Sequence, residues 1–168
     1  MSIHINGAKE VEALLKQLPE RLAKNVTTNA LRAGARIIAK RAREIVVANP
    51  SIDSGLLAKN ITARARRRSR QGRAYGAATV SVGVARVAKM VVRKGKKKAE
   101  KASPSRYAHL VEFGHDNVPA EPFLRPALDE KAIEAITRIG EFLGRGVERE
   151  AAKLAAGKVS FVTGKRIK

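Results

Sequence analysis

Two stretches of this chain, from about Pro19 to Ala48 and from about Phe123 to Ala156, repeat apolar residues at the spacing of an α-helix, and any fold of the chain must bury both. In the first, Leu22, Val26, Ala30, Ala33 and Ile37 form one stripe, and Leu31, Ala35, Ile38, Ala42 and Ile45 form an adjacent one. In the second, Leu124, Leu128, Ala132, Ile136, Ile139, Leu143, Val147 and Leu154 share a face. Burial of a Leu or Ile side chain stabilises by about 1.5–3 kcal/mol, so these helices are the expected spine of the core. Asn49-Pro50 ends the first, because a proline disfavours helix at the residue before it. Gly140, Gly144 and Gly146 weaken the second by up to about 1 kcal/mol each relative to alanine, which predicts a kink or break near 144–146. A shorter helix is predicted over 7–18, with Asn6 as its cap and Val11, Leu14, Leu15 and Leu18 on one face.

Between the long helices the period changes to two. After a short helical stretch at Asp53–Asn60, the segments from Ile61 to Arg68 and from Thr79 to Arg86 alternate apolar or small residues with basic or polar ones, as half-buried strands do. The polar link from Ser69 to Gly76 predicts an antiparallel hairpin with a longish loop, and a third strand is read from Val87 to Arg93. The following lysine-rich run from Lys94 to Ser103 has no apolar anchor and reads as a mobile loop. The sum is an α+β fold: two long helices plus short helices packed on a small antiparallel β-sheet, with a basic hairpin and a mobile lysine loop. With 168 residues the chain is expected to form a single domain over 1–156, the basic loop at about 94–103 inserted in it, followed by a short basic tail over 157–168.

The segment Tyr107-Ala108-His109-Leu110-Val111-Glu112-Phe113-Gly114, followed by Pro122-Phe123-Leu124-Arg125-Pro126-Ala127-Leu128, concentrates three of the six aromatics and three of the six prolines in 22 positions. Ser103-Pro104 supplies a helix N-cap and a proline at the first helical position, and Gly114 stands where a C-terminal cap belongs, so 105–113 reads as a short helix. A strand with Tyr107, His109, Val111 and Phe113 on one face is the alternative that pattern leaves open. Pro119, Pro122 and Pro126 set the angle into the last helix or pin an edge against a neighbour. Phe123 and Leu124 read as core anchors. Glu112, the one acid of the helical part, is expected to make an ion pair or helix-end contact with a nearby arginine such as Arg106 or Arg125, or to meet an arginine of another subunit.

Catalytic readings of the same residues are weak. His109, Glu112, His115 and Asp116 include a His-x-x-Glu spacing, but there is no HExxH arrangement and no cysteine, so no metal site is expected. Ser103 or Ser105 with His109 and Asp116 supplies the residue types of a triad without a GxSxG elbow, so neither catalysis nor a cofactor is expected. The absence of cysteine fits a reducing compartment. The N-terminus lacks the order of a signal peptide, and no apolar run reaches the roughly 18 residues that span a bilayer. The chain therefore reads as soluble and unexported.

Net charge is +20, and its distribution is uneven: residues 1–60 carry +5, 61–106 carry +14, 107–157 carry −3 and 158–168 carry +4. In the middle segment fifteen Lys and Arg face only Glu100, so water, counterions or an anionic partner must offset their repulsion. The candidate anionic-partner contacts are Arg64, Arg66, Arg67, Arg68, Arg70, Lys94, Lys96, Lys97 and Lys98. Tyr75 is the one aromatic among these charges, so the stacking platform of a single-strand binder is missing, and no helix-turn-helix, zinc-finger or RNA-recognition motif is visible. A solvated basic face is the plain alternative.

The Tyr-Ala-x-x-Val-Glu-Phe-Gly string, its short polar link and the Pro-Phe-Leu-Arg-Pro-Ala-Leu string resemble the tail-component family of long-tailed bacteriophages, which includes neck, head-tail joining and tail-completion proteins and the minor tail protein Z group. Asp53-Ser54-Gly55-Leu56-Leu57-Ala58-Lys59-Asn60-Ile61 is similar to a second element of that family, with Asn60 where Ser is usual; His115 stands where Thr commonly follows the Gly. The resemblance implies a non-enzymatic virion protein of the head-tail junction, present in the host cytoplasm during assembly. It implies a ring of copies, six or a multiple, in contact with the connector and with tail terminator or tail-tube proteins, near the DNA that passes through the channel. Tyr107, Glu112, Phe113, Gly114, Pro119, Pro122, Phe123, Leu124, Arg125 and Pro126 become the candidate subunit-contact residues. The rival reading, a small basic nucleic-acid-binding protein of the nucleoid or ribosome-associated type, explains the charge but not the motif.

Overall fold

A computed structural model describes residues 16, 18, 20–50, 55–65, 78–86, 89–91, 100–116 and 118–158. Their order is α1 (Glu20–Ala48), α2 (Gly55–Asn60), β1 (Ile61–Ala65), β2 (Val80–Val84), β3 (Lys89–Val91), β4 (Glu100–Ala102), α3 (Pro104–Phe113) and α4 (Leu124–Ala155). This is the α+β composition expected, with two long helices, short helices and little strand. The predicted helix over 7–18 falls almost wholly outside the described residues, as do Arg66–Arg68 of the first predicted strand and residues 94–99 of the lysine run.

The chain forms two compact units, one from Met1–Gly34, Ala65–Val80 and Ile136–Lys168, the other from Ala35–Arg64 and Ser81–Ala135. In the second unit, Ala39, Ala42 and Val46 of α1, Leu57 and Ala58 of α2, Ile61 of β1, Phe123 and Ala127 form one buried cluster. Alanines dominate its helix faces, so backbones approach closely and the large side chains Phe123, Leu57 and Ile61 fill the space between. Arg43 of α1 donates from Nε and Nη2 to the Ile61 carbonyl, at 3.0 and 2.7 Å, and so ties α1 to the start of β1. The Ala85 N–H donates to the Asn60 carbonyl at 2.8 Å. That bond sets the end of β2 beside the start of β1, so the two paired strands run in opposite directions.

The buried seam of α1 runs through Leu22, Val26, Ala30, Ala35, Ala39, Ala42 and Val46. It passes from one predicted stripe to the other, as a seam does when the helical period is 3.6 rather than 3.5 or 4.

Three expectations need correction. Glu100–Ala102 is not loop: β4 pairs antiparallel with β3, with Lys89 opposite Ala102, Met90 opposite Lys101 and Val91 opposite Glu100. A ladder is made by backbone N–H and C=O groups, so it forms without the apolar anchor whose absence suggested a loop. The sheet is also divided: β1 pairs with β2 and β3 with β4, and these two pairs share no strand among the described residues. Finally, α4 runs unbroken through Gly140, Gly144 and Gly146.

Gly146 has a packing reason. In the first unit Leu18, Val26 and Val147 form a buried cluster, and a Cβ on Gly146 would lie 2.7 Å from Val26 Cγ1. Gly146→Ala is therefore expected to gain about 1 kcal/mol of helix propensity and to lose about 1–3 kcal/mol to overpacking. The net result is a fall in thermal midpoint, checked by calorimetry against Gly140→Ala. At Gly140 an added Cβ meets nothing within 4 Å, and the midpoint should rise.

Charge on the long helices is paired locally. Arg41 of α1 bonds Glu130 of α4 and Glu44, and α4 carries Lys131–Glu134, Arg138–Glu141 and Arg145–Glu141 pairs. The bond to Glu130 holds the Arg41 guanidinium above its usual range, and the same bond holds the Glu130 carboxyl below its own. Both groups are solvated, so these pairs orient the helices more than they stabilise them.

Candidate functional site

The segment from Ser103 to Leu128 lies wholly in the second unit. Its helical reading holds, since α3 starts with Pro104 at its first position and continues to Phe113. Ser103 occupies the N-cap in an extended conformation (φ −125°, ψ 100°), but its hydroxyl makes no cap bond and instead lies 3.3 Å from Ser105 Oγ. Gly114 ends α3 at φ 74° and ψ 174°, a region essentially reserved for glycine.

Beyond Gly114 the chain doubles back. His115 and Val118 exchange two backbone bonds, of 3.1 and 2.7 Å, and the Glu121 N–H donates to the Val111 carbonyl at 2.9 Å. Glu121 Oε2 also accepts Asn49 Nδ2 at 3.0 Å, which fastens the returning segment to the end of α1.

The turn brings the start of α4 onto the Glu112 side chain. Glu112 Oε2 accepts the N–H groups of Phe123 and Leu124, each at 2.9 Å, and Oε1 accepts that of Arg125 at 3.1 Å. A helix leaves its first four N–H groups without intrahelical partners. Here the fourth position is Pro126, which has no N–H, so one carboxylate satisfies every donor of the first turn. No acid stands in that turn of α4 itself. Its favourable negative charge at the positive end of the helix dipole comes instead from α3.

Of the two contacts expected of Glu112, the ion pair is not formed and the helix-end contact is: with Arg125 it uses the backbone N–H, not the guanidinium. The carboxylate is 9% exposed, and both oxygens are occupied within its own chain. The sequence signal for this cap was a helix start that contains a proline and lacks an acid of its own.

Above the cap lies a groove of about 480 Å³, lined by Val84, Ser105, Ala108, His109, Phe113, Leu124, Arg125 and Leu128, with Glu112 at its side. Phe113 is 69% exposed, Leu128 49% and, on the turn, Val118 50%. Leu128 was expected on the buried face of α4. Ala127 takes that place, because Phe123 enters the core and the residue one helical turn on must follow it.

The other candidate residues divide clearly. Tyr107 and Leu124 are half-buried against the core, and Phe123 is fully buried as an anchor. Pro119, Pro122 and Arg125 are exposed and Pro126 is half-buried. Arg64 lies exposed on β1. Arg66, Arg67, Arg68, Arg70, Lys94, Lys96, Lys97 and Lys98 fall outside the described residues.

His109, His115 and Asp116 are exposed, while Glu112 is turned to the α4 backbone. Among the described residues no three His, Asp or Glu side chains cluster as metal ligands, and no helix is long and apolar enough to cross a membrane.

The family model described as Bacteriophage HK97-gp10, putative tail-component, matches residues 9–114. The matched span takes in Asp53–Ile61 and the helix that carries Glu112, and it stops before the prolines of the returning segment. No curated protein and no solved structure matches the chain.

Proposed function

The chain belongs to the HK97-gp10-like family of bacteriophage tail components, and from that premise we propose that it is a non-enzymatic structural protein of the head-tail junction. In this reading copies of the chain associate as a closed ring and join the tail to the filled head. The ring contacts the connector on one side and tail terminator or tail-tube proteins on the other, which makes it a neck or tail-completion protein of the virion.

The observation that supports this reading is the exposure of Phe113 and Leu128 in the lining of a groove beside the Glu112 cap. A phenylalanine at the last position of a capped helix is rigidly held. Left in water it forfeits about 1.5–3 kcal/mol, which contact with a second copy would recover. A ring repeats one heterologous contact around a closed axis, so a small patch used once per subunit is multiplied by the number of copies. We assign the groove and its rim to that contact.

The test is Phe113→Ser combined with Leu128→Ser. Both side chains are exposed, so the fold and thermal midpoint should stay near those of the wild type. Loss of the two side chains removes about 3–5 kcal/mol from each contact, roughly a 10²–10⁴-fold weaker association. The double variant is expected to sediment as a monomer with its tail partners present and to leave tails and filled heads unjoined in a complementation assay. Wild-type assembly by a variant of wild-type stability would overturn the assignment of the groove. A wild-type chain that never assembles with tail or head proteins would overturn the junction role itself, and would leave the small basic nucleic-acid-binding protein as the reading.

A further inference from the structure

Several exposed cations of this protein have no acid beside them among the described residues. The ion pairs of the two long helices take their cations from α1 and α4 themselves. Lys59 at the end of α2, Arg64 on β1 and Arg86 just beyond β2 are exposed and form none. They border one structure, the β1–β2 pair. The 2.8 Å bond from the Ala85 N–H to the Asn60 carbonyl places the backbone of Lys59 and that of Arg86 at the same end of it, and Arg64 stands three residues further along β1 than Ile61.

We propose that this strand pair is a docking surface for the phosphate backbone of double-stranded DNA, bound without regard to sequence. Ile61, Ala63, Val82 and Val84 pack on the core, so strand alternation turns Arg64, Ser81 and Gly83 the other way. Arg64 is exposed on that side, where Ser81 and Gly83 are half-buried, and no described atom lies within 4 Å of where a Gly83 Cβ would be.

The character of these groups selects the partner. A protein partner would need a desolvated apolar or aromatic anchor, and a serine, a glycine and unpaired cations offer none. A single strand would need an aromatic on which bases stack, and none of the described strand residues is aromatic. Exposed, unpaired cations beside small residues suit duplex phosphates, whose spacing rewards charge. Arg64 and Arg86 belong to a segment, 61–106, that carries +14 with a single acid, and Lys59 stands just before it. The proposal does not depend on the junction role: a ring protein and a free monomer would both show it.

The test uses the full chain and a fluorescent duplex of random sequence, titrated over a range of salt concentrations. The Lys59→Ala, Arg64→Ala, Arg86→Ala triple variant should keep the wild-type circular dichroism and thermal midpoint. Its slope of log affinity against log salt should be shallower by roughly 2–3, about 0.9 for each lost phosphate contact. Scrambling the duplex should change nothing. An unchanged slope in the folded triple variant would overturn the proposal. So would equal binding of a single strand, or tighter binding of polyglutamate than of duplex at the same salt, which would assign the surface to an acidic protein.

Discussion

Glu112→Ala should lower the stability of the protein by about 3 kcal/mol and its thermal midpoint by roughly 6–12 °C, the largest effect expected of any polar substitution in the Ser103–Leu128 segment. The reason is the number of donors on one acceptor. Phe123, Leu124 and Arg125 each give an N–H to this carboxylate, and in the alanine variant these donors lose their partner beside a buried Phe123. Hydrogen bonds to a charged group contribute about 1.5–3 kcal/mol each, and partial access of water to the Leu124 and Arg125 amides discounts the sum.

Glu112→Gln should lose about half as much. Its carbonyl still accepts one or two of the bonds, but its amide presents hydrogen atoms to a helix end that offers only donors. Arg125→Ala is the decisive companion. An ion pair between Glu112 and the Arg125 guanidinium would make the two alanine variants alike, whereas a backbone cap predicts a change within about 0.5 kcal/mol for Arg125→Ala. Denaturant unfolding of the three variants settles the point, and a Glu112→Ala loss below about 1 kcal/mol would refute the cap.

The same cap marks where sequence reasoning reaches and where it stops. The long helices were legible because periodic apolar residues have only one way to be buried together, and α3 was legible because Ser103-Pro104 and Gly114 punctuate both its ends. For Glu112 the sequence leaves an ion pair and a helix-end contact open, and it does not show that three N–H groups share the carboxylate. Side-chain pairs within a helix repeat at three or four positions, whereas this bond spans 11–13 residues and depends on the turn between them. β4 was missed for a related reason, since backbone pairing leaves little mark on a segment such as Glu-Lys-Ala. At Leu128 the helical spacing from Leu124 predicts burial. The position of Phe123 in the core decided for Ala127 instead, and that choice left Leu128 on the rim of the groove.

Gly114→Ala should cost about as much as loss of the Glu112 carboxylate, about 3 kcal/mol, although it removes no bond. Two penalties combine. At φ 74° and ψ 174° a Cβ strains the backbone by about 1–3 kcal/mol. It would also stand 2.9 Å from the Ala120 nitrogen and 2.9 Å from the Val118 carbonyl oxygen. Both obstacles are backbone, so no rotamer change relieves them, and the returning segment itself must move. That segment holds the 2.9 Å bond from Glu121 to Val111 and delivers Phe123 to the Glu112 carboxylate. The strain therefore passes to the cap, and Gly114→Ala and Glu112→Ala should be less than additive, because the second substitution removes what the first has already loosened. A double-mutant cycle by denaturant unfolding measures this, with a coupling of about 1 kcal/mol or more expected. Strict additivity would mean that the turn after Gly114 and the cap on α4 are independent, and Gly114 would then matter only for its own conformation. A coupling of that size would make the Gly114 turn and the Glu112 cap one device, beside the groove that Phe113 and Leu128 line.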